Sequence, residues 1–391
     1  MFQKHFLMQI KGYTKTLNLR IKPSKLLRCY SRNRVGKCAF ENTIYFLTSA
    51  FLSYWQISAC VLTVLLAIVW CIWTFRTRIL NLHRIDRTAK SRNSHYQPHK
   101  MSLNYRPIIG ILAQENWEGD PHAQGSSYIQ ATYVKHLESA GARVVPIHLN
   151  QTKEEYVKLF NSINGLFLPG GNVDMEKSQC ARTAKIFYDL AIKANDASDY
   201  FPIWGTCQGL QQLTILTSNK NLLTVTDTKA VALPLIFTPG SHNSRMFKRF
   251  PKDLIQSLAE ENITSNFHIL SLSLQNYNSN AKLKHFYRVL TTNTDGKTEF
   301  VSTMEAYCYP FYGVQWHPEK SPFEWIEKAG LIHTPSAIKA AFYTAHFFVS
   351  EAMKNHHCFP SQIEEEKALI YNYQPVFSGL NSVFMQNYYF E

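Results

Sequence analysis

The sequence predicts an α/β fold in which a mostly parallel sheet lies between two layers of helices. Short, continuous apolar runs recur after about residue 100, as expected for strands that are buried on both faces. Helix-like stretches separate these runs and are long enough to form the crossovers that parallel strands require. No internal repeat is visible. We therefore predict a three-layer α/β sandwich with a mostly parallel central sheet.

The predicted strands and helices alternate in chain order. The apolar pattern predicts strands at 107–112, 143–147, 165–168 and 201–204, and helices at 128–140, 153–161 and 175–194. Gly141 is predicted to end the first helix, and Gly170 and Gly171 to form a tight turn after the third strand. Ligands bind at the carboxyl ends of the strands in such sheets, so the candidate site residues directly follow the apolar runs.

The positive charge of the chain is concentrated at its N-terminus. The formal charge is +13, yet residues 1–100 hold 17 Lys and Arg against only Glu41 and Asp86, which gives +15. The other 24 basic and 26 acidic residues leave 101–391 at −2. This distribution argues against a nucleic-acid-binding domain, although a lipid- or RNA-binding arm stays open for the first 40 residues. We predict an N-terminal extension over 1–100 and one folded domain over 101–391.

The extension contains a long apolar segment. No charged residue occurs between Asn42 and Phe75, and Ile57–Phe75 is long enough to cross a membrane as a helix. We predict a membrane-spanning or signal-anchor segment at about 57–75. A late-starting cleaved signal and an extension absent from the working protein are the alternatives. Basic residues flank the segment on both sides, so its orientation stays open.

The cysteines and glycosylation sequons bear on the compartment and on cofactors. Eight cysteines without any C-x-x-C pair predict neither a disulfide framework nor a metal site, and no other cofactor is predicted. The sequons at Asn150 and Asn262 predict N-glycosylation on a lumenal route.

The segment Trp204–Gly209, with the sequence WGTCQG, carries the strongest chemical signal. It has the form of a nucleophile elbow, with cysteine between two glycines at a strand-to-helix turn. The glycines permit the sharp turn, and the helix N-terminus favours a thiolate. A small buried hydrophobe is the alternative role for such a cysteine. We predict that Cys207 is the nucleophile.

A second segment, Tyr312–Lys320, supplies a candidate base. Pro318 favours an extended conformation at His317, and residues two apart in an extended chain project to the same side. Glu319 would then orient the imidazole from behind. We predict a catalytic triad of Cys207, His317 and Glu319; a surface histidine and a solvated carboxylate are the alternatives.

Acyl transfer also needs donors for the developing oxyanion. The backbone N–H of Gln208 follows the nucleophile, and Gly170 or Gly171 could supply a second donor. A phosphate-binding role for this Gly-Gly turn is rejected, because neither G-K-[ST] nor G-x-G-x-x-G occurs there.

These features together resemble a known family. The elbow, the Pro-Gly-Gly turn and the Trp-His-Pro-Glu segment, in this order, resemble the class I glutamine-amidotransferase-like superfamily. Five segments narrow the resemblance to the γ-glutamyl hydrolase family, from about residue 105 to the C-terminus. They are Phe201–Cys207, Ser244–Phe247, Thr291–Lys297, Tyr312–Lys320 and Glu364–Tyr371.

The resemblance implies an activity and a setting. It implies a catalytic domain that hydrolyses γ-glutamyl bonds of folylpoly-γ-glutamates and antifolate polyglutamates, with Cys207 as nucleophile and His317 as proton donor. It places His268 near the cleft as a substrate-binding residue, with a structural role as the alternative. It also implies a homodimer and a lysosomal, vacuolar or secreted location. The N-terminal extension departs from the family's ordinary cleaved signal, which puts soluble secretion in doubt and favours a lumenal domain on a single-pass anchor.

Two other functions stay open at this point. One is a glutaminase that feeds ammonia to a synthase, although no synthase region is present. The other is a membrane-tethered binding protein that has kept the cleft and lost turnover.

Overall fold

The computed structural model describes residues 102–379 and 382–391, all of which belong to one compact unit, His99–Glu391. The predicted extension 1–100, with its apolar segment at 57–75, lies outside the described residues, so the predicted domain boundary stays a prediction. Within the described ranges, no helix combines the length and apolarity that a membrane crossing needs.

The strands and helices follow closely on one another along the chain. The strands are β1 Ile108–Leu112, β2 Gln114–Glu115, β3 Ser127–Gln130, β4 Arg143–Ile147, β5 Gly165–Leu168, β6 Ile203–Thr206, β7 Leu223–Leu233, β8 Ile236–Phe237, β9 Thr264–Leu272, β10 Tyr287–Thr294, β11 Glu299–Ala306, β12 Phe311–Val314, β13 Val376–Phe377 and β14 Gln386–Phe390. The α-helices are α1 Ala131–Glu138, α2 Lys153–Phe160, α3 Gln179–Asp196, α4 Gln208–Ser218, α5 Lys252–Glu260, α6 Leu274–Ser279, α7 Ala281–Phe286, α8 Lys320–Phe323, α9 Pro335–Ala352 and α10 Gln362–Ala368.

The central sheet has the strand order β4-β1-β5-β6-β12-β11-β10-β8. Its first five strands are parallel, and the last three are antiparallel to their neighbours. Helices α1 and α9 pack together, while α2, α3 and α4 form a second packed group. The strands between them are almost completely buried, as expected for a sheet that is covered on both faces. The predicted α/β class with a mostly parallel sheet is confirmed.

Two smaller sheets flank the central one. Strands β13, β14, β3 and β2 form the first, and β7 pairs with β9 in the second. The first sheet corrects one prediction, because residues 128–130 lie in β3 and not in the first turn of a helix. Their partner is β14, with Tyr388 opposite Ile129. Local periodicity contains no information about a partner more than 250 residues away.

Two other predicted boundaries are shifted. Helix α3 begins at Gln179, four residues later than predicted, because the Ser178 side chain caps it by accepting a hydrogen bond from Ala181 N. Strand β6 is Ile203–Thr206 and not 201–204, since pairing with β5 and β12 begins at Ile203.

The turn between β6 and α4 depends on two glycines. A Cβ atom on Gly205 would lie 2.5 Å from the carbonyl carbon of Gly209, and a Cβ atom on Gly209 would lie 2.0 Å from the Leu168 carbonyl oxygen. Real Cβ atoms essentially never approach backbone so closely. Only glycine therefore allows α4 to start this close to the end of β5.

We predict that Gly209→Ala destabilises the chain by more than about 3 kcal/mol, because the Leu168 carbonyl cannot move without disturbing the sheet. Urea denaturation measures the effect. Gly119→Ala is the matched control: its φ is +85° and no atom lies within 4 Å of the added Cβ, so the expected cost is about 1 kcal/mol of backbone strain. Equal losses for the two variants would contradict a steric role for Gly209.

Candidate active site

The candidate site is a cleft at the carboxyl ends of β5, β6 and β12, with a volume of about 210 Å³. These are the strands after which Gly170, Cys207 and His317 follow in the chain. The cleft is lined by Trp117, Tyr128, Gln130, Gly170, Gly171, Asn172, Cys207, Phe267, His317, Lys320, Glu324, Ile326, Lys328, Leu331, Val383 and Phe384. The cleft therefore lies where ligands are expected in such sheets, at the carboxyl ends of the parallel strands.

Cys207 occupies the elbow in a strained backbone conformation. Its φ is +53° and its ψ −106°, a combination that L residues rarely adopt. The N–H of Cys207 donates to the Val314 carbonyl at 2.7 Å, and its own carbonyl accepts from Gln211 N at 3.1 Å. These bonds fix the residue to β12 on one side and to α4 on the other. The side chain is 5% exposed and lines the cleft.

Cys207 and His317 converge on Gly170. A Cβ atom on Gly170 would lie 2.8 Å from His317 Cε1 and 3.1 Å from Cys207 Cβ. The same atom would lie 2.8 Å from the hydroxyl oxygen of Tyr133. A side chain at position 170 would therefore displace the three side chains that meet there.

Glu319 accepts a hydrogen bond from the His317 ring. The distance from His317 Nδ1 to Glu319 Oε1 is 2.6 Å, and both side chains are buried. The sequence argument expected this contact from an extended chain, but Glu319 has helical angles (φ −67°, ψ −22°) and caps α8. The contact thus forms across a turn. The backbone N–H of His317 donates to Ser265 O at 2.9 Å, which ties the segment to β9.

The surroundings of His317 and Glu319 favour the charged forms of both side chains. Burial lowers the pKa of His317, but the charges of Glu319 and Cys207 outweigh burial and raise the pKa from 6.5 to about 9. Burial acts against the Glu319 carboxylate, yet the His317 ring holds the pKa of that carboxyl below its usual 4.5. We therefore expect an imidazolium hydrogen-bonded to a carboxylate at neutral pH.

These shifts link protonation to folding. Because the pKa of His317 is raised in the folded chain, the protonated ring stabilises the fold fully below about pH 6.5, and the effect is lost as the pH rises through about 9. The contribution of Glu319 has the opposite sign. Its pKa is lowered, so its stabilisation is present above pH 4.5 and is lost as the pH falls through the folded-state pKa.

The predicted oxyanion donors are not equivalent. The Gly170 N–H donates to the Tyr133 hydroxyl at 2.9 Å and is therefore already engaged. For the N–H groups of Gln208 and Gly171, no acceptor is found among the described residues. The Gln208 side chain is held away from the cleft by Val173, whose carbonyl accepts from Gln208 Nε2 at 2.6 Å. Of the three predicted donors, those of Gln208 and Gly171 thus lack an acceptor among the described residues.

His268 lies in β9, beside the cleft and not among its lining residues. Both ring nitrogens are hydrogen-bonded: Nε2 to Asn266 Oδ1 at 3.0 Å, and Nδ1 to the hydroxyls of Thr228 and Ser271 at 2.8 and 3.1 Å. Burial, and then the charge of His317, lower the pKa of His268 to about 3. The ring is thus neutral and fully engaged, and its predicted role in substrate binding stays a prediction.

Two site residues were not predicted from the sequence. Tyr133 is fully buried, and its hydroxyl contacts the Gly-Gly turn, yet in the sequence it is one apolar position of a helix. Lys320 lines the cleft directly after Glu319, and its place in the Trp-His-Pro-Glu-Lys run was the only available signal.

These features define the class of protein. A cysteine at an elbow, beside a histidine that a buried carboxylate orients, is the arrangement of cysteine-type hydrolases. The sequence comparisons then narrow the class to one family. The model of the family described as Peptidase C26 matches residues 107–319. The chain belongs to this family, and the predicted resemblance to γ-glutamyl hydrolases is confirmed.

Sequence relatives of the chain include γ-glutamyl hydrolases from an animal and from Dictyostelium discoideum. The Homo sapiens γ-glutamyl hydrolase is 56% identical over 286 residues, which cover 73% of this chain and 90% of that protein. The Dictyostelium discoideum γ-glutamyl hydrolase B is 39% identical, with 74% and 84% coverage. Among solved structures, the glutaminase domain of Trypanosoma brucei CTPS with bound acivicin is 15% identical. Its TM-score is 0.43, and the match covers 66% of this chain and 98% of that one.

We predict that Glu319→Gln lowers the pKa of His317 from about 9, because only Cys207 then opposes the effect of burial. An NMR titration of ¹³C-labelled histidine measures this pKa. Glu327→Gln, in an exposed loop, is the control and should leave the His317 pKa near 9. A value near 9 in Glu319→Gln would disprove the assigned cause.

Proposed function

We propose that the chain hydrolyses γ-glutamyl peptide bonds of folylpoly-γ-glutamates, and of antifolate polyglutamates, through an acyl-enzyme on Cys207. The observation that carries this proposal is the convergence of Cys207, His317 and Gly170 at one point of the cleft. The high identity to γ-glutamyl hydrolases over most of the chain supports the substrate class.

The proposed reaction begins with the thiolate of Cys207, which the imidazolium of His317 stabilises. The sulfur attacks the γ-carbonyl carbon, and the carbonyl oxygen becomes an oxyanion. In this proposal the N–H groups of Gln208 and Gly171 donate to the oxyanion, whereas the Gly170 N–H stays bonded to Tyr133. Collapse of this intermediate breaks the C–N bond, and the departing amine takes a proton from His317.

The second half of the reaction regenerates the thiolate. Water attacks the thioester while the neutral His317 ring accepts a proton from it. The C–S bond then breaks, which releases a free γ-carboxylic acid. Glu319 is a positioning residue in both halves, because its bond to Nδ1 leaves Nε2 of His317 directed away from it and towards the reaction.

We propose Cys207→Ala as the decisive variant. Full-length wild-type protein is expected to shorten folyl-penta-γ-glutamate, as followed by chromatography, and Cys207→Ala is expected to give no product because no acyl-enzyme can form. Cys308→Ala, which removes an exposed free cysteine, is the matched control and should retain activity.

The same assay separates the alternatives. Ammonia release from free glutamine without shortening would favour a glutaminase. Tight binding of the pentaglutamate without turnover by the wild type would favour an inactive binding protein. Either outcome would reject the proposed hydrolase.

We also propose a lysosomal, vacuolar or secreted location with a lumenal catalytic domain on a single-pass anchor at about 57–75. The exposure of the sequon residues Asn150 and Asn262 supports glycosylation, because attachment needs an accessible amide. The homodimer rests on the resemblance alone, and light scattering of the purified protein tests it.

The anchor and the glycans are tested together by cell fractionation. Full-length chain is expected in the membrane pellet after alkaline extraction, since a spanning helix resists it. Removal of N-linked glycans should increase its gel mobility, and Asn150→Gln with Asn262→Gln should abolish that shift. Full-length chain in the alkaline supernatant would reject the anchor.

A further inference from the structure

Lys320 is a buried cation that lines the cleft and forms no ion pair with the described residues. Its side chain is almost entirely buried, at 5% exposure. No carboxylate of the described residues lies within 4.0 Å of its ammonium, and no hydrogen-bond acceptor is found for it there. The ammonium lies 4.9 Å from the ring centre of Phe384 and 5.7 Å from that of Phe267. Two aromatic faces thus hold the charge, and its hydrogen-bonding capacity is left for a ligand.

A second lysine faces the same aromatic ring. The ammonium of Lys328 lies 4.8 Å from the ring centre of Phe267, and Lys328 also lines the cleft. Burial, followed by the charges of Lys320 and Lys229, lowers the pKa of Lys328. The neighbouring cations thus weaken the charged form of Lys328, and an anion bound beside the two lysines would restore it.

The carboxyl group of Glu324, which also lines the cleft, forms no ion pair with either lysine. Glu324 is fully buried in the cleft wall, where Oε1 accepts from Met385 N at 2.8 Å and Oε2 has no partner among the described residues. Burial raises the pKa of Glu324, which favours its uncharged form. The two lysines therefore leave this end of the cleft positive.

We propose that Lys320 and Lys328 bind the carboxylates of the departing glutamate residue. This inference rests on the proposed function. His317 indicates on which side of the scissile bond the lysines lie, because in the proposed reaction it protonates the departing amine. The His317 ring centre lies 5.9 Å from that of Phe267, the ring that both lysines face. The departing residue must therefore lie beside Phe267. Carboxylates held by ammonium groups form strong, charge-assisted hydrogen bonds.

The test compares two substrates that differ only in the departing residue. The first is pteroyl-γ-glutamyl-glutamate, and the second carries glutaminamide in place of the last glutamate, so both of its departing carboxylates are amides. We expect wild-type kcat/KM to favour the glutamate substrate. Lys320→Met, which keeps the apolar contacts with the rings, should reduce that preference about tenfold, and Lys328→Gln about threefold. Both variants should lower kcat/KM for the amide substrate less than for the glutamate substrate.

Lys297→Gln removes an exposed charge from the turn between β10 and β11 and is the control. Equal losses on both substrates would overturn the proposal, because a structural role or contact with the retained glutamate would not distinguish them. An unchanged substrate preference in Lys328→Gln would also overturn the proposal that both lysines bind the departing residue. Because Lys328 is exposed, this variant keeps the test valid if Lys320→Met does not fold. If the wild type cleaves neither substrate, the proposed function fails instead.

Discussion

The close contact between Gly209 and the carbonyl of Leu168 determines the position of Cys207. It brings the start of α4 against the end of β5, so the chain must reverse direction within one residue. That residue is Cys207, and its positive φ is the cost, about 1–3 kcal/mol in such cases. Hydrogen bonds to β12 and α4 on either side keep the strained conformation in place. The thiol is therefore positioned by the sheet and not by a mobile loop.

The buried pair of His317 and Glu319 places a second constraint on the same region. Taking two charges out of water is expensive, and a buried ion pair recovers that free energy only with good geometry. Here the short bond from Nδ1 satisfies one carboxylate oxygen, while Oε2 has no partner among the described residues. The pair is thus incompletely satisfied inside the core. Such an arrangement is poorly suited to stability alone, and it is suited to holding a proton on the ring beside the thiol.

Much of this architecture could be predicted from local sequence, and the rest depends on distant contacts. The strands at β1, β4 and β5 follow from continuous apolar runs, and the elbow from two glycines around Cys207. Residues 128–130 were misassigned because their strand partner is at the C-terminus. Local sequence also could not predict that Gly170 N–H is engaged while Gly171 N–H has no acceptor among the described residues. This difference depends on the hydroxyl of Tyr133, which belongs to α1.

The positive charge of Lys320 in the cleft is not balanced by an ion pair among the described residues. His317 is compensated by Glu319, whereas the Lys320 ammonium forms no ion pair in the described part of the chain and lies over two aromatic rings. A ring replaces only part of the hydration that an ammonium loses on burial. A site with excess positive charge beside His317, the proposed proton donor, gains most from a substrate whose departing part is anionic. A departing glutamate has this property and free ammonia does not, so the proposed lysine site is consistent with peptide hydrolysis and not with glutaminase chemistry.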